Sequence, residues 1–162
     1  MKALILYRTY YGNTKIVAET IAHELTGLGY ETTVQDLRGR LPNLESFTCA
    51  VVGAPTRMAR VTRKALRVLR KLGRRGFGAK PVAIFDTYGP VPTGSEELEK
   101  AKRWIWPGAA GIMEKTAKDR GLNVFPKTLR CEVAGLKGPL AEHEKEKASA
   151  FAREFATGSS RT

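Results

Sequence analysis

The stretch Ile5-Leu6-Tyr7-Arg8-Thr9-Tyr10-Tyr11-Gly12-Asn13-Thr14-Lys15-Ile16-Val17-Ala18-Glu19-Thr20-Ile21 changes its hydrophobic period half-way along. Residues 3–7 form an unbroken apolar run too short for a buried helix, which predicts a strand covered on both faces. Beyond the loop, Val17, Ala18, Ile21, Ala22 and Leu25 recur at helical spacing and predict one buried helix face. Between them lies a polar segment with one glycine. Strand, short loop, helix is the opening of a βαβ unit.

The alternation continues outward. Gly27 and Gly29 end the helix, and residues 30–37 alternate with β-branched side chains as a strand does. Residues 49–52 are a third apolar run, which Pro55 should stop. A helix at 62–75 with Leu66, Leu69 and Leu72 as its apolar stripe leads through a glycine-rich turn into a fourth run, 81–85. Residues 86–94 read as a loop by composition. A helix at 96–103 should break near Pro107 and resume over 108–120, before a last strand at 122–133 that is irregular at Pro126. Residues 141–155 complete the pattern as a helix whose core face is Ala148, Phe151, Ala152 and Phe155. The fold class expected is α/β, a doubly wound three-layer sandwich around a five-stranded parallel sheet. The 162 residues suit a single domain over 1–157, with a frayed tail at 158–162.

Hydrophobic residues make up 42% and charged residues 27%, a globular balance that excludes a disordered chain. No apolar run approaches the roughly 18 residues that span a bilayer, and the N-terminus lacks a long hydrophobic leader segment, so a cytoplasmic location is expected. Cys49 and Cys131 are too far apart for a redox pair and read as buried free thiols. His23 and His143 have no partner at ligand spacing, so no metal is expected.

The net charge of +12 is local. Between Glu45 and Asp86 there is no acidic residue, while Arg57, Arg60, Arg63, Lys64, Arg67, Arg70, Lys71, Arg74, Arg75 and Lys80 supply ten cations; removing them leaves 18 basic against 16 acidic residues. A solvated helix face accounts for the pattern but not for its single sign, because like charges at i,i+4 repel by a few tenths of a kcal/mol each, about 0.2–0.5 per pair. A polyanionic partner is the other reading.

In a doubly wound sheet, ligands bind outside the carboxyl ends of the strands, which selects the loops at 8–14, 53–60 and 86–94. The first places Thr9, Gly12, Asn13 and Thr14 before a helix, where free backbone N–H groups and the helix dipole favour a phosphate. It has neither GxGxxG nor GxxxxGK[ST], so a monophosphate suits it better than a dinucleotide or a triphosphate. A plain N-cap turn at Asn13 or Thr14 would use the same residues.

With these residues in view, the segment 5–21 resembles the FMN-phosphate signature of the flavodoxin family. Val51-Val52-Gly53-Ala54-Pro55-Thr56-Arg57-Met58 resembles its second flavin loop, and Asp86-Thr87-Tyr88-Gly89 its third. The resemblance covers about residues 1–156 and implies the strand order 2-1-3-4-5 with FMN as cofactor. It implies that Thr9, Tyr10, Tyr11, Gly12, Asn13 and Thr14 wrap the phosphate. Pro55, Thr56, Arg57 and Met58 would flank the ring or ribityl chain. Thr87, Tyr88 and Gly89 would approach the isoalloxazine from the other side, Tyr88 stacking on it. Tyr11 stands where many flavodoxins have Thr, and Arg57-Met58-Ala59 where an aromatic is usual. Electron-shuttling flavodoxins are typically acidic, and this chain is the reverse. A guanidinium from Arg57 or Arg60 near the ring would favour the negative charge of fully reduced FMN.

Three functions follow. The first is an FMN redox protein, with no catalytic residue beyond the flavin, exchanging electrons with an acidic redox protein or a small-molecule acceptor. The second is an FMN oxidoreductase acting on a quinone or porphyrinogen. The third is a flavin-free basic module whose segment 57–75 binds nucleic acid or an acidic surface. The absence of aromatics between Arg57 and Arg75 and the presence of all three loops weigh against the third.

Overall fold

The computed structural model describes residues 1–161. Five strands, β1 (Lys2–Tyr7), β2 (Glu31–Asp36), β3 (Cys49–Pro55), β4 (Pro81–Tyr88) and β5 (Asn123–Glu132), form one parallel sheet in the order β2-β1-β3-β4-β5. The helices are α1 (Asn13–Gly27), α2 (Arg63–Arg74), α3 (Ser95–Ile105), α4 (Gly108–Asp119) and α5 (Glu144–Ser159). The fold class and strand order are those expected.

The unbroken apolar strands are explained by two cores. Alternate residues of a strand point to opposite faces: Ala3, Ile5 and Tyr7 pack with α1 and α5, while Leu4 and Leu6 pack with α2 and α4. At a roughly 1.5–3 kcal/mol benefit for each large side chain fully buried, these two layers are the main driving force of the fold. Among the described residues no helix is long and apolar enough to cross a membrane, and no group of three or more His, Cys, Asp or Glu could hold a metal ion.

Several boundaries differ from the expectation. Asp86, Thr87 and Tyr88 belong to β4 rather than to a loop, because Pro55 pairs with Thr87 and Tyr88 with Glu132, and the polar side chains find partners within the fold. Strand β3 continues to Pro55: Thr56 N–H donates to Thr87 O (2.8 Å), so the N–H that Pro55 lacks would face the side that β1 has already left. The buried stripe of α2 is Ala65, Val68, Leu69 and Leu72, with Leu66 only partly buried. Helix α5 begins at Glu144, after a turn at Ala141 and a left-handed His143, and runs to Ser159, past the point where a tail was expected. Thr162, the last residue of that tail, lies outside the described residues. The irregularity expected at Pro126 is present: Val82 pairs with Val124 and Ile84 with Thr128, so β5 bulges there.

Sheet order places the site. Strand β2 lies on one side of β1 and β3 on the other, so the crossovers leaving β1 and β3 diverge and open a crevice at the carboxyl ends.

Candidate functional site

A cavity of about 310 Å³ opens at that crevice, at the small end of the range common for ligand sites, roughly 300–1,000 Å³. Twelve of the thirteen residues singled out in the sequence line it; the thirteenth, Gly12, stands behind them as the N-cap of α1.

The first loop is shaped by Gly12, whose φ of +93° turns the chain into α1 and whose N–H donates to Thr9 Oγ1 (2.9 Å). The first intrahelical bond runs from Ile16 N–H to Gly12 O (3.1 Å), so the N–H groups of Asn13, Thr14 and Lys15 begin the helix without an intrahelical acceptor. They form the positive end of the α1 dipole, and no acidic side chain occupies that first turn. Thr14 is buried and its hydroxyl bonds Thr87 Oγ1 (2.8 Å), joining the first loop to the end of β4. Asn13 donates from Nδ2 to Lys137 O (3.1 Å), holding the loop between β5 and α5 against the cavity.

The second loop is a tight hairpin. Arg57 and Arg60 exchange both backbone hydrogen bonds (3.0 and 2.9 Å), leaving Met58 (φ 49°) and Ala59 (φ 62°) at its tip. Two positive φ values match the type I′ geometry, in which Asn-Gly is the favoured pair; side chains with a Cβ cost about 1–2 kcal/mol per residue in that region. Met58 projects 74% exposed at the cavity rim. The Arg57 guanidinium lies 4.1 Å from the Tyr10 ring centroid and that of Arg8 4.4 Å, so Tyr10 ties the first two loops together.

Beneath the cavity, a buried network fixes the third wall. Asp86, fully buried in β4, accepts from Thr56 Oγ1 (2.7 Å), from Ala110 N–H (3.1 Å) at the start of α4, and from Arg130 Nε (2.9 Å) and Nη2 (2.8 Å). Thr56 Oγ1 in turn accepts from Ala109 N–H (2.7 Å). Arg130 also lies 4.4 Å from the centroid of Tyr88, which lines the cavity. Burial pushes the Tyr88 phenol up from its ordinary range.

Sequence reasoning placed Asp86 in the third loop without a role, and missed Arg130 and a fourth loop that brings Val133, Leu136 and Lys137 to the site; Lys137 Nζ stands 5.8 Å from the Tyr11 ring. The signal for that loop was Gly135 and Gly138-Pro139 between a strand and a helix. The thiols lie elsewhere, as expected. Both are buried, Cys49 pushed up to about 11 and Cys131 to about 12 chiefly by desolvation, so neither supplies a thiolate near neutrality.

The sequence matches the flavodoxin domain family over residues 4–119. The chain belongs to that family. Its flavodoxin fold is shared over 99% of both chains with a flavodoxin from the domain Archaea, at 20% identity and a TM-score of 0.78. Oxidised flavodoxin 2 from Bacillus cereus is 24% identical, with 98% of this chain and 99% of that one covered and a TM-score of 0.74. Rubredoxin oxygen:oxidoreductase from Desulfovibrio gigas carries the fold within a larger chain: 99% of this chain but 36% of that one is covered, at 15% identity and a TM-score of 0.75. No curated protein matches. The flavodoxin-domain match ends with the last residue of α4, so β5, Lys137 and α5 are assigned to the fold by the structure rather than by the sequence match.

Proposed function

We propose that this flavodoxin-domain protein binds FMN and carries electrons to or from an acidic redox protein. The observation that carries the reading is the convergence of the three loops on one cavity walled by the first turn of α1. That turn suits a phosphate: three helix N–H groups without intrahelical acceptors, and Lys137 and Arg8 close by to balance its charge. Tyr88, backed by Arg130, supports a flat ring between itself and the Pro55–Met58 side. FMN supplies one- and two-electron redox chemistry when bound; the chain binds it, orients it and limits its contact with water. The archaeal and Bacillus cereus neighbours are flavodoxins, which supports the same cofactor class here.

Reconstitution tests this directly. FMN is expected to remain on the protein through gel filtration at one per chain, with FAD and riboflavin weaker. Thr14→Ala removes a hydroxyl at the phosphate turn and is expected to weaken FMN more than riboflavin, by one to two orders of magnitude for a charge-assisted bond of about 1.5–3 kcal/mol. Thr87→Val breaks the same Thr14–Thr87 pair from the other side and is expected to weaken both ligands alike. Equal losses for Thr14→Ala would place the phosphate elsewhere, and retention of FAD over FMN would overturn the cofactor.

A neighbouring cavity of about 490 Å³ favours one further reading. It shares Tyr10, Pro55, Arg57 and Met58 with the first cavity and adds Arg60, Val61, Thr62 and Trp104. Aromatic and apolar walls with two guanidinium groups suit a flat substrate carrying negative charge, as an FMN oxidoreductase acting on a quinone or porphyrinogen would require. Turnover of menadione by the FMN-loaded protein that Trp104→Ala impairs through KM would favour the enzyme over the carrier.

A further inference from the structure

A second kind of cavity lies away from the flavin crevice, between the loop that follows β2 and the flank of α2. It measures about 620 Å³. Arg38 and Arg40 line it from the loop; Lys64, Arg67 and Lys71 line it from α2, and Arg75 from the C-cap. The helix residues fall at i, i+3, i+7 and i+11, one stripe along the cylinder. No acidic residue lines the groove. Arg38 is paired with Asp36 (3.0 Å), and among the described residues the other five cations form no ion pair.

The loop wall is held in place. Leu37 N–H donates to Tyr7 O (2.7 Å), Gly39 N–H to Asp36 O (3.0 Å) and Gln35 Nε2 to Arg40 O (2.6 Å). Cations that repel one another are thus kept facing a common space, an arrangement that costs free energy until an anion enters. The groove is not uniformly polar: Leu37, Leu41, Pro42 and Val68 also line it, the first and last of them buried.

We propose that this groove is the docking surface for an acidic face of a partner protein, carboxylates meeting its cations and an apolar side chain meeting the half-buried Leu41 and Pro42. A groove lined by cations with some apolar surface beside them suits a protein face, which carries carboxylates and apolar side chains together. A duplex backbone offers phosphates but nothing for the apolar patch, and no lining residue is aromatic, so a single strand would find no stacking platform. The positive sign continues from the groove through Arg63 and Arg60 to Arg57 on the flavin cavity wall, so one acidic surface can cover both. The inference rests on the carrier reading only for the redox character of the partner; the acidity is argued from the groove itself.

The test compares two double variants with the same change of charge. Arg40→Glu with Lys71→Glu reverses one cation on each wall; Lys100→Glu with Lys145→Glu reverses two exposed cations on α3 and α5. Two probes are used, an acidic plant-type ferredoxin with the FMN-loaded protein and poly-L-glutamate with the flavin-free protein, each titrated at low and at physiological salt, with duplex DNA in parallel. The groove variant is expected to bind both acidic probes at least tenfold more weakly, with a flatter salt dependence and unchanged FMN content, and the control to change less than twofold. Equal losses in the two variants, or none in either, overturn the groove. Wild-type preference for duplex DNA over both acidic probes, lost in the groove variant, overturns the protein partner in favour of nucleic acid. Groove-dependent binding of poly-L-glutamate by a protein that takes up no FMN upholds the groove and sinks the carrier reading, so the two fail separately.

Discussion

Asp86 has no exposed surface, yet Thr56, Ala110 and Arg130 all donate to it, and through them β4 is joined to the second loop, to α4 and to β5. A buried ion pair of this kind contributes little net stability when intact, because desolvation offsets the attraction, but losing one partner leaves a charge stranded. Arg130→Met is therefore expected to destabilise the fold by about 3–5 kcal/mol, and the Asp86→Asn, Arg130→Met double variant to regain more than half of that. Urea unfolding measures both. A double variant no more stable than the single one would mean that Arg130 acts through packing on Tyr88 rather than through Asp86. Asp86 and Arg130 are 44 positions apart in the chain. Nothing in either local segment pairs them, whereas Thr9, Gly12 and Thr14 were legible because turn chemistry and helix capping act over a few neighbouring residues, and Tyr88 was singled out by the family resemblance.

Strand β3 owes its fit in the sheet to a missing side chain. Gly53 pairs with Phe85 across the β3–β4 ladder, and a Cβ at Gly53 would lie 2.0–2.3 Å from three atoms of the Phe85 ring. Phe85 is fully buried in the core beneath α1 and α5, so the ring has nowhere to retreat. Gly53→Ala is expected to cost at least the 1–3 kcal/mol typical of overpacking, and Gly53→Ala with Phe85→Leu to recover part of it. Thermal unfolding with bound and free FMN separates the fold from the site, since Gly53 lies just before the second loop. The helix α2 teaches the same lesson from outside: its apolar periodicity was plain, but Ala65 and Val68 rather than Leu66 face the sheet, because the angle at which a helix docks is set by its neighbours.

At the scale of the molecule, the net charge is +12, and six of the cations line the one groove between α2 and the loop after β2. Self-repulsion of that size opposes the compact state and is screened as the Debye length falls from about 10 Å at 0.1 M salt to about 3 Å at 1 M. The Tm of the flavin-free protein is expected to rise with sodium chloride over that range, although its ion pairs, mostly exposed and individually weak, are screened as well. Arg40→Glu with Lys71→Glu is expected to start higher at low salt and to gain less. A Tm that falls with salt in the wild type would show that the ion pairs outweigh the repulsion.

The sequence by itself determined what depends on local period and local chemistry: five strands, three of them near-continuous apolar runs buried on both faces, helices between them, a glycine-containing turn at Thr9–Thr14 suited to a phosphate, and a run of ten cations with no acid among them. These are properties of contiguous residues, and backbone geometry with solvent exclusion acts on them before any long-range contact forms. Tertiary structure alone decided the rest. It drew Asp86 to Arg130 and Thr14 to Thr87, brought Lys137 beside the first loop, and set Arg38 and Arg40 opposite Lys64 and Lys71 to turn a basic helix into a groove. Each of these joins residues that only the β2-β1-β3-β4-β5 order makes neighbours, and a polar or charged side chain does not reveal its partner until the chain has closed around it.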